Sequence, residues 1–158
     1  DVIEIEAAAA SSTGMDLSAA KKLIDFGIDV NHAAGSGLTA LHLALYVPKE
    51  NTLAMLRILL DGFDINSGEQ TLAGTILHAL VVGLRDSIFL PTYPSLPEMK
   101  LPFMSAEYET GLRERAVDMC RAILEYGPDL EAMNVAGVTA FELADCFGFE
   151  ELAKLLEV

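Results

Sequence analysis

Apolar residues recur along the chain at the three- and four-residue steps that mark one face of a helix. Leu53, Leu56, Leu59 and Leu60 form one such stripe, and Leu112, Ala116, Met119 and Ile123 form another. Phe149, Leu152, Leu155 and Leu156 predict a final helix. At the other end, residues 3–12 predict a first helix, and Asp16 to Asp25 a second, N-capped by Asp16 or Ser18. Gly27, Gly62 and Gly127 stand just past apolar stripes, where a left-handed cap conformation favours glycine. Thr39, Thr75 and Thr139 stand where a helix start wants an N-cap oxygen.

These markers belong to a repeat. Gly37-Leu-Thr-Ala-Leu-His42-Leu-Ala44 aligns with Ala73-Gly-Thr-Ile-Leu-His78-Ala-Leu80 and with Gly137-Val-Thr-Ala-Phe-Glu142-Leu-Ala144. A second block precedes each: Leu23-Ile-Asp-Phe-Gly27-Ile-Asp29-Val-Asn31, Leu59-Leu-Asp-Gly62-Phe-Asp64-Ile-Asn66 and Ile123-Leu-Glu-Tyr-Gly127-Pro-Asp129-Leu-Glu131. Thr39 and Thr75 lie 36 residues apart and Gly27 and Gly62 lie 35 apart, whereas Thr75 to Thr139 spans 64 and Gly62 to Gly127 spans 65. Both markers place roughly 30 extra residues between the second and third signatures.

Two motifs alternating in register resemble the ankyrin repeat, a unit of about 33 residues built from a hairpin turn and two antiparallel helices. The family's Thr-Pro-Leu-His signature is matched by Thr39-Ala-Leu-His42, Thr75-Ile-Leu-His78 and Thr139-Ala-Phe-Glu142, none of which keeps the proline. The Gly-Ala-Asp-x-Asn signature is matched at Gly27–Asn31 and Gly62–Asn66 and degrades at Gly127–Glu131. The resemblance implies a mainly α solenoid of stacked helix-turn-helix units with short hairpin connections. All of 1–158 then forms one domain, with units near 1–34, 35–69, 70–134 and 135–158. In such repeats His42 and His78 bond the threonine of their own motif and neighbouring backbone, so Thr39, His42, Thr75, His78 and Thr139 are structural. The resemblance also extends to a sequence in which a hairpin Asn, here Asn31, is β-hydroxylated; Asn31 has a turn-forming role as well.

Residues 86–108 interrupt the third unit. Pro91, Pro94, Pro97 and Pro102 exclude helix across them, and Phe89, Tyr93 and Phe103 make the segment too apolar for a free linker. Either it folds back over the stack, or its aromatics offer a partner a second surface.

Composition narrows the function. The chain has 158 residues, 24 Asp and Glu against 10 Lys and Arg, and a formal charge of −14. That balance, with no basic run, argues against nucleic acid and anionic membrane surfaces. No apolar run approaches the ~18 residues of a membrane span. Cys120 and Cys146 have no zinc-ligand spacing and make no disulfide framework, which suits a reducing compartment, cytoplasm or nucleus. No phosphate loop, nucleophile elbow or metalloprotease helix is present. No catalytic residue, metal or cofactor is therefore assigned.

A solenoid of this kind binds partners on its concave face. Carried over by register, that face comprises the hairpin tips His32 to Ser36, Ser67 to Leu72 (including Glu69) and Ala132 to Ala136 (including Asn134). It also takes in Leu43, Tyr46 and Val47, then Ala79 and Val82, then Leu143, Cys146 and Phe147, on the first helix of successive units. Tyr46 and Phe147 are the expected anchors, because aromatics dominate interface energetics. The expected function is non-catalytic binding of a protein or peptide of basic or mixed charge, as part of a larger polypeptide. The alternative is a regulatory module that packs on another domain of that polypeptide.

Overall fold

The computed structural model describes residues 17–46, 52–90, 99–100 and 105–158. The expected helix at 3–12, the Asp16 cap, Val47, Tyr93 and Phe103 lie outside the described residues, whereas Ser18, the other expected cap, lies inside the first helix (Leu17–Asp25) rather than ahead of it. The elements are α1 (Leu17–Asp25), α2 (Ala40–Tyr46), α3 (Thr52–Leu60), α4 (Ile76–Ile88), β1 (Phe89–Leu90), β2 (Met99–Lys100), α5 (Ala106–Leu124), α6 (Ala140–Cys146) and α7 (Glu150–Leu156).

They form two layers. The inner layer is α2, α4 and α6, each packed on the next; the outer layer is α1, α3, α5 and α7 in the same order. Within a unit the inner helix packs on the outer helix that follows it, as α2 on α3, α4 on α5 and α6 on α7. One continuous core runs between the layers through Leu41, Leu45, Leu56, Leu59, Ile76, Leu80, Ile123 and Leu152. Each such side chain contributes about 1.5–3 kcal/mol by leaving water. The core is mainly aliphatic, with the rings of Phe63 and Phe149 among its buried members. At Gly83 a Cβ would stand 2.0 Å from the Leu45 carbonyl oxygen, so α4 crosses the end of α2 backbone to backbone.

The helix exits follow the expected chemistry. Gly27, Gly62 and Gly127 have φ of 87°, 81° and 65°, a region that costs a side-chain-bearing residue energy and glycine almost none. Between the exits and the next inner helix the chain makes three short fingers. The middle one is a residue longer between its motif Asn and Thr, and it accommodates the extra residue by placing Gln70 at φ 60°, the non-glycine residue with positive φ among those described.

The insert differs from its sequence reading at both edges. Asp86 to Ile88 continue α4, and Ala106 to Tyr108 open α5 behind an N-cap at Ser105, whose Oγ accepts the Tyr108 N–H at 3.1 Å. The helix stops ahead of Pro91, because the residue before a proline is pushed out of the helical region. Phe89 pairs with Lys100 and Leu90 with Met99 in a short antiparallel ladder. Phe89 packs against the core, so of the three insert aromatics the one described shields the stack.

Candidate partner-binding surface

Each inner helix is held at its start by a threonine box. The Thr39 N–H donates to His42 Nδ1 at 3.3 Å, the His42 N–H donates back to Thr39 Oγ1 at 3.3 Å, and Thr39 Oγ1 lies 2.7 Å from the same Nδ1. Thr75 and His78 repeat this, with the Thr75 N–H to Nδ1 at 3.0 Å and Oγ1 to Nδ1 at 2.9 Å. In the last unit Thr139 and Glu142 close the box with a carboxylate: the Thr139 N–H donates to Glu142 Oε2 at 2.8 Å, and the Glu142 N–H to Thr139 Oγ1 at 3.2 Å.

The other ring nitrogen reaches the neighbouring unit. His42 Nε2 stands 2.7 Å from the Gly74 carbonyl oxygen, and His78 Nε2 stands 2.8 Å from that of Val138. A carbonyl only accepts, so Nε2 carries the proton. Nδ1 must then be the bare acceptor for the threonine N–H. Both rings are buried. Burial lowers the pKa of each below the usual histidine value; for His42 the nearby His78 adds to the lowering, and the Gly74 and Val138 carbonyls oppose it in part.

A second ladder runs along the fingers. Asn31 Nδ2 donates to the Gly62 carbonyl at 3.0 Å and Asn31 Oδ1 accepts from the Asp64 N–H; Asn66 Oδ1 likewise accepts from the Asp129 N–H at 2.8 Å. Asp29, Asp64 and Asp129 each accept the N–H two residues on, which fixes the turn. Backbone bonds tie finger to finger: Ala73 N–H to the Ser36 carbonyl at 3.0 Å, Gln70 N–H to that of Met133 at 2.8 Å, and Val135 N–H to that of Thr71 at 2.9 Å. The result is a continuous edge of three fingers in fixed register.

The residues singled out from the sequence are distributed unevenly over this surface. His32 and Glu69 are exposed on finger tips, and Ser36 is half-buried. Asn134 is taken up inside its own finger, its Oδ1 accepting from Ala136 and Val138 at 3.0 and 3.2 Å. Leu43, Val82 and Leu143 are half-buried and Cys146 is exposed. Ala79, read as a surface position, is buried; α4 is flanked on both sides within the inner layer and has less free surface than α2 or α6. The two expected anchors are not free rings. Tyr46 is half-buried with its hydroxyl donating to the Ala73 carbonyl at 3.3 Å; burial, then the Asp86 carboxylate, raises its pKa. Phe147 lies under the Arg85 guanidinium, 5.1 Å from the ring centroid, and edge-on to Phe149 at 6.1 Å.

Three apolar residues inside the expected finger tips, though not named there as anchors, stand out instead. Leu72, Val135 and Met133 are 75%, 55% and 40% exposed on the two adjoining fingers. A signal was available: they are large apolar residues in turns where small and polar residues are the rule. Around them the fingers bear exposed Asp29, Asp64, Glu69, Asp129 and Glu131, while residues 27–39, 62–75 and 127–139 contain no Lys or Arg. Among the described residues no group of His, Cys, Asp and Glu side chains gathers as a metal site. Cys120 is buried and its thiol is pushed up to about 12, chiefly by desolvation, which leaves it a packing residue.

Residues 36–69 match the family model for the ankyrin repeat. The matched stretch begins in the first finger, crosses α2 and α3, and ends in the second finger. The unit that follows repeats its two-layer packing, its threonine box and its forward-reaching histidine, and the last unit repeats the packing and the box. The described helices stack in the manner of an ankyrin-repeat solenoid. No curated protein matches its sequence. Ankyrin repeats generally serve as protein–protein interaction modules. Among the described residues no helix is long and apolar enough to cross a membrane.

Proposed function

We propose that the chain binds a protein or peptide of basic or mixed charge along its finger edge, without catalysis. One observation supports this above the others. Leu72, Met133 and Val135 form an exposed apolar centre on fingers held in register, and the carboxylates on the same fingers have no cation among them. An apolar centre with a charged surround is the anatomy of a protein interface. Uncompensated negative charge accelerates encounter with a cationic partner and suppresses acidic ones. Tyr46 braces the second finger through its bond to Ala73, and Phe147 is stacked beneath Arg85. The two unpaired thiols, Cys120 and Cys146, suit a reducing setting inside a cell, cytoplasmic or nuclear.

The test is a partner recovered on the immobilised chain and then measured in solution. Its Kd should rise at least tenfold on Leu72→Asp with Val135→Asp, and should weaken between low and physiological salt. The Tyr46→Ala, Phe147→Ala pair should act more weakly than the finger pair. Unchanged binding by the finger pair refutes the assigned surface, and salt-independent binding refutes the electrostatic part. Binding only to another domain of the same polypeptide would make the module an intramolecular regulator.

A further inference from the structure

The third finger and α6 lack the residues by which earlier fingers and inner helices reach their neighbours. Where Asn31 and Asn66 reach forward to the following finger, the third finger has Glu131. Where His42 and His78 donate forward to a carbonyl, α6 has Glu142, an exposed carboxylate that has no proton to give. The apolar residue between the box partners changes role as well. Leu41 and Leu77 are buried at that position, whereas Phe141 is half-exposed. Beside it lies a cleft of ≈ 390 Å³ lined by Leu130, Glu131, Thr139, Phe141, Glu157 and Val158. The face beyond α6 and α7 therefore pairs an apolar floor with carboxylates, and no Lys or Arg lines the cleft.

We propose that this end face docks a cationic amphipathic segment of a partner protein, with an apolar side chain on Leu130 and Phe141 and a Lys or Arg between Glu131 and Glu157. Another ankyrin unit is a poor occupant, because its finger N–H and carbonyl would meet two carboxylates in place of the amide and the imidazole that serve the interior joints. A second copy of the chain is also poor, because end-to-end docking would set Glu131, Glu142 and Glu157 against the same carboxylates on a molecule of charge −14. A cationic amphipathic segment satisfies both halves of the face. The end face shares Glu131 with the third finger but includes neither Leu72 nor Val135, so changes at Phe141 and at the finger pair tell the two surfaces apart.

The probe is a 14-residue peptide with Lys and Leu at helical spacing, titrated into the isotopically labelled chain by NMR. A Lys/Ser peptide of equal charge is the control. Shifts should concentrate at residues 130–131, 139–142 and 157–158. Glu131→Gln with Glu157→Gln should weaken binding at least fivefold, Phe141→Ala at least tenfold, and the Lys/Ser peptide should bind at least tenfold more weakly. Leu72→Asp with Val135→Asp should change it less than twofold. The glutamine pair replaces exposed side chains and leaves the core untouched, so it decides the matter even if Phe141→Ala unfolds. Shifts spread over the whole acidic surface, shifts confined to the fingers, or unchanged affinity in the glutamine pair would overturn the proposal. So would a peptide-free dimer that Phe141→Ala dissociates.

Discussion

Acidification tests the histidine ladder directly. In the native chain His42 and His78 are held as neutral rings, with Nδ1 accepting from a threonine N–H and Nε2–H donating to the next unit. A protonated ring would turn Nδ1 into a donor facing a donor. Burial keeps the native pKa of both below the ordinary 6.5. The unfolded chain then binds more protons than the native one in the window below that value, so stability is full above pH 6.5 and falls as the pH drops through it. At pH 5.5, proton uptake by one unfolded imidazole favours the unfolded state by about 1.4 kcal/mol, and by two, about 2.8 kcal/mol, as long as the native rings stay neutral. With a urea slope of about 2 kcal/mol per molar for a domain of this size, the midpoint should fall by about 1.4 M between pH 7.5 and 5.5 from this cause. The 24 Asp and Glu residues titrate as well, and relief of their mutual repulsion acts in the opposite direction. The assay therefore compares the wild type with His42→Gln and with His78→Gln. Glutamine serves a capping box at this position and does not titrate. Urea midpoints are followed by circular dichroism at both pH values. Each variant should lose less than the wild type over the interval, by up to about 1.4 kcal/mol. Parallel losses in all three proteins would refute the assignment of neutral, forward-donating rings.

Other outcomes are expected of single side chains. Gly83→Ala should destabilise the fold by about 1–3 kcal/mol in urea unfolding, because the clash with the Leu45 carbonyl outweighs the roughly 1 kcal/mol of helix propensity gained. Gly111→Ala in α5 meets no atom within 4 Å and should stabilise by about 0.5–1 kcal/mol; a loss would contradict the open environment seen there. Asn66→Ala removes the acceptor for the Asp129 N–H and should cost about 0.5–1.5 kcal/mol, with faster amide exchange at Asp129 as a local readout. Cys120 should resist thiol-modifying reagents in the native state while Cys146 reacts, and equal reactivity would show that α5 opens locally.

Much of the architecture was legible along the chain because its causes are local. An N-cap threonine, a glycine at a left-handed exit and a four-residue apolar step act over one or two turns, so Thr75, Gly62 and the Leu53–Leu60 stripe could be placed from spacing. Position 142 was visible as a departure from the repeat, but its reason was not. Glu142 satisfies the box of its own unit with a carboxylate, and only the structure shows that this closes the box without the imidazole used at His42 and His78. The surface was the least legible part. Tyr46 and Phe147 looked like free aromatics by register, yet one hydroxyl is spent on the Ala73 carbonyl and the other ring lies beneath Arg85.

The sequence by itself determined the period of this protein, its helix starts and exits, the place of its insert and its uncompensated negative charge. The tertiary structure decided which side chains remain for a partner: Leu72, Met133 and Val135 on the fingers, and Phe141 at the end of the stack. The division is physical. Backbone conformation follows from residues a few positions apart, whereas exposure depends on which neighbouring unit lies against a side chain, and neighbours in this solenoid come from a full repeat or more away in the chain.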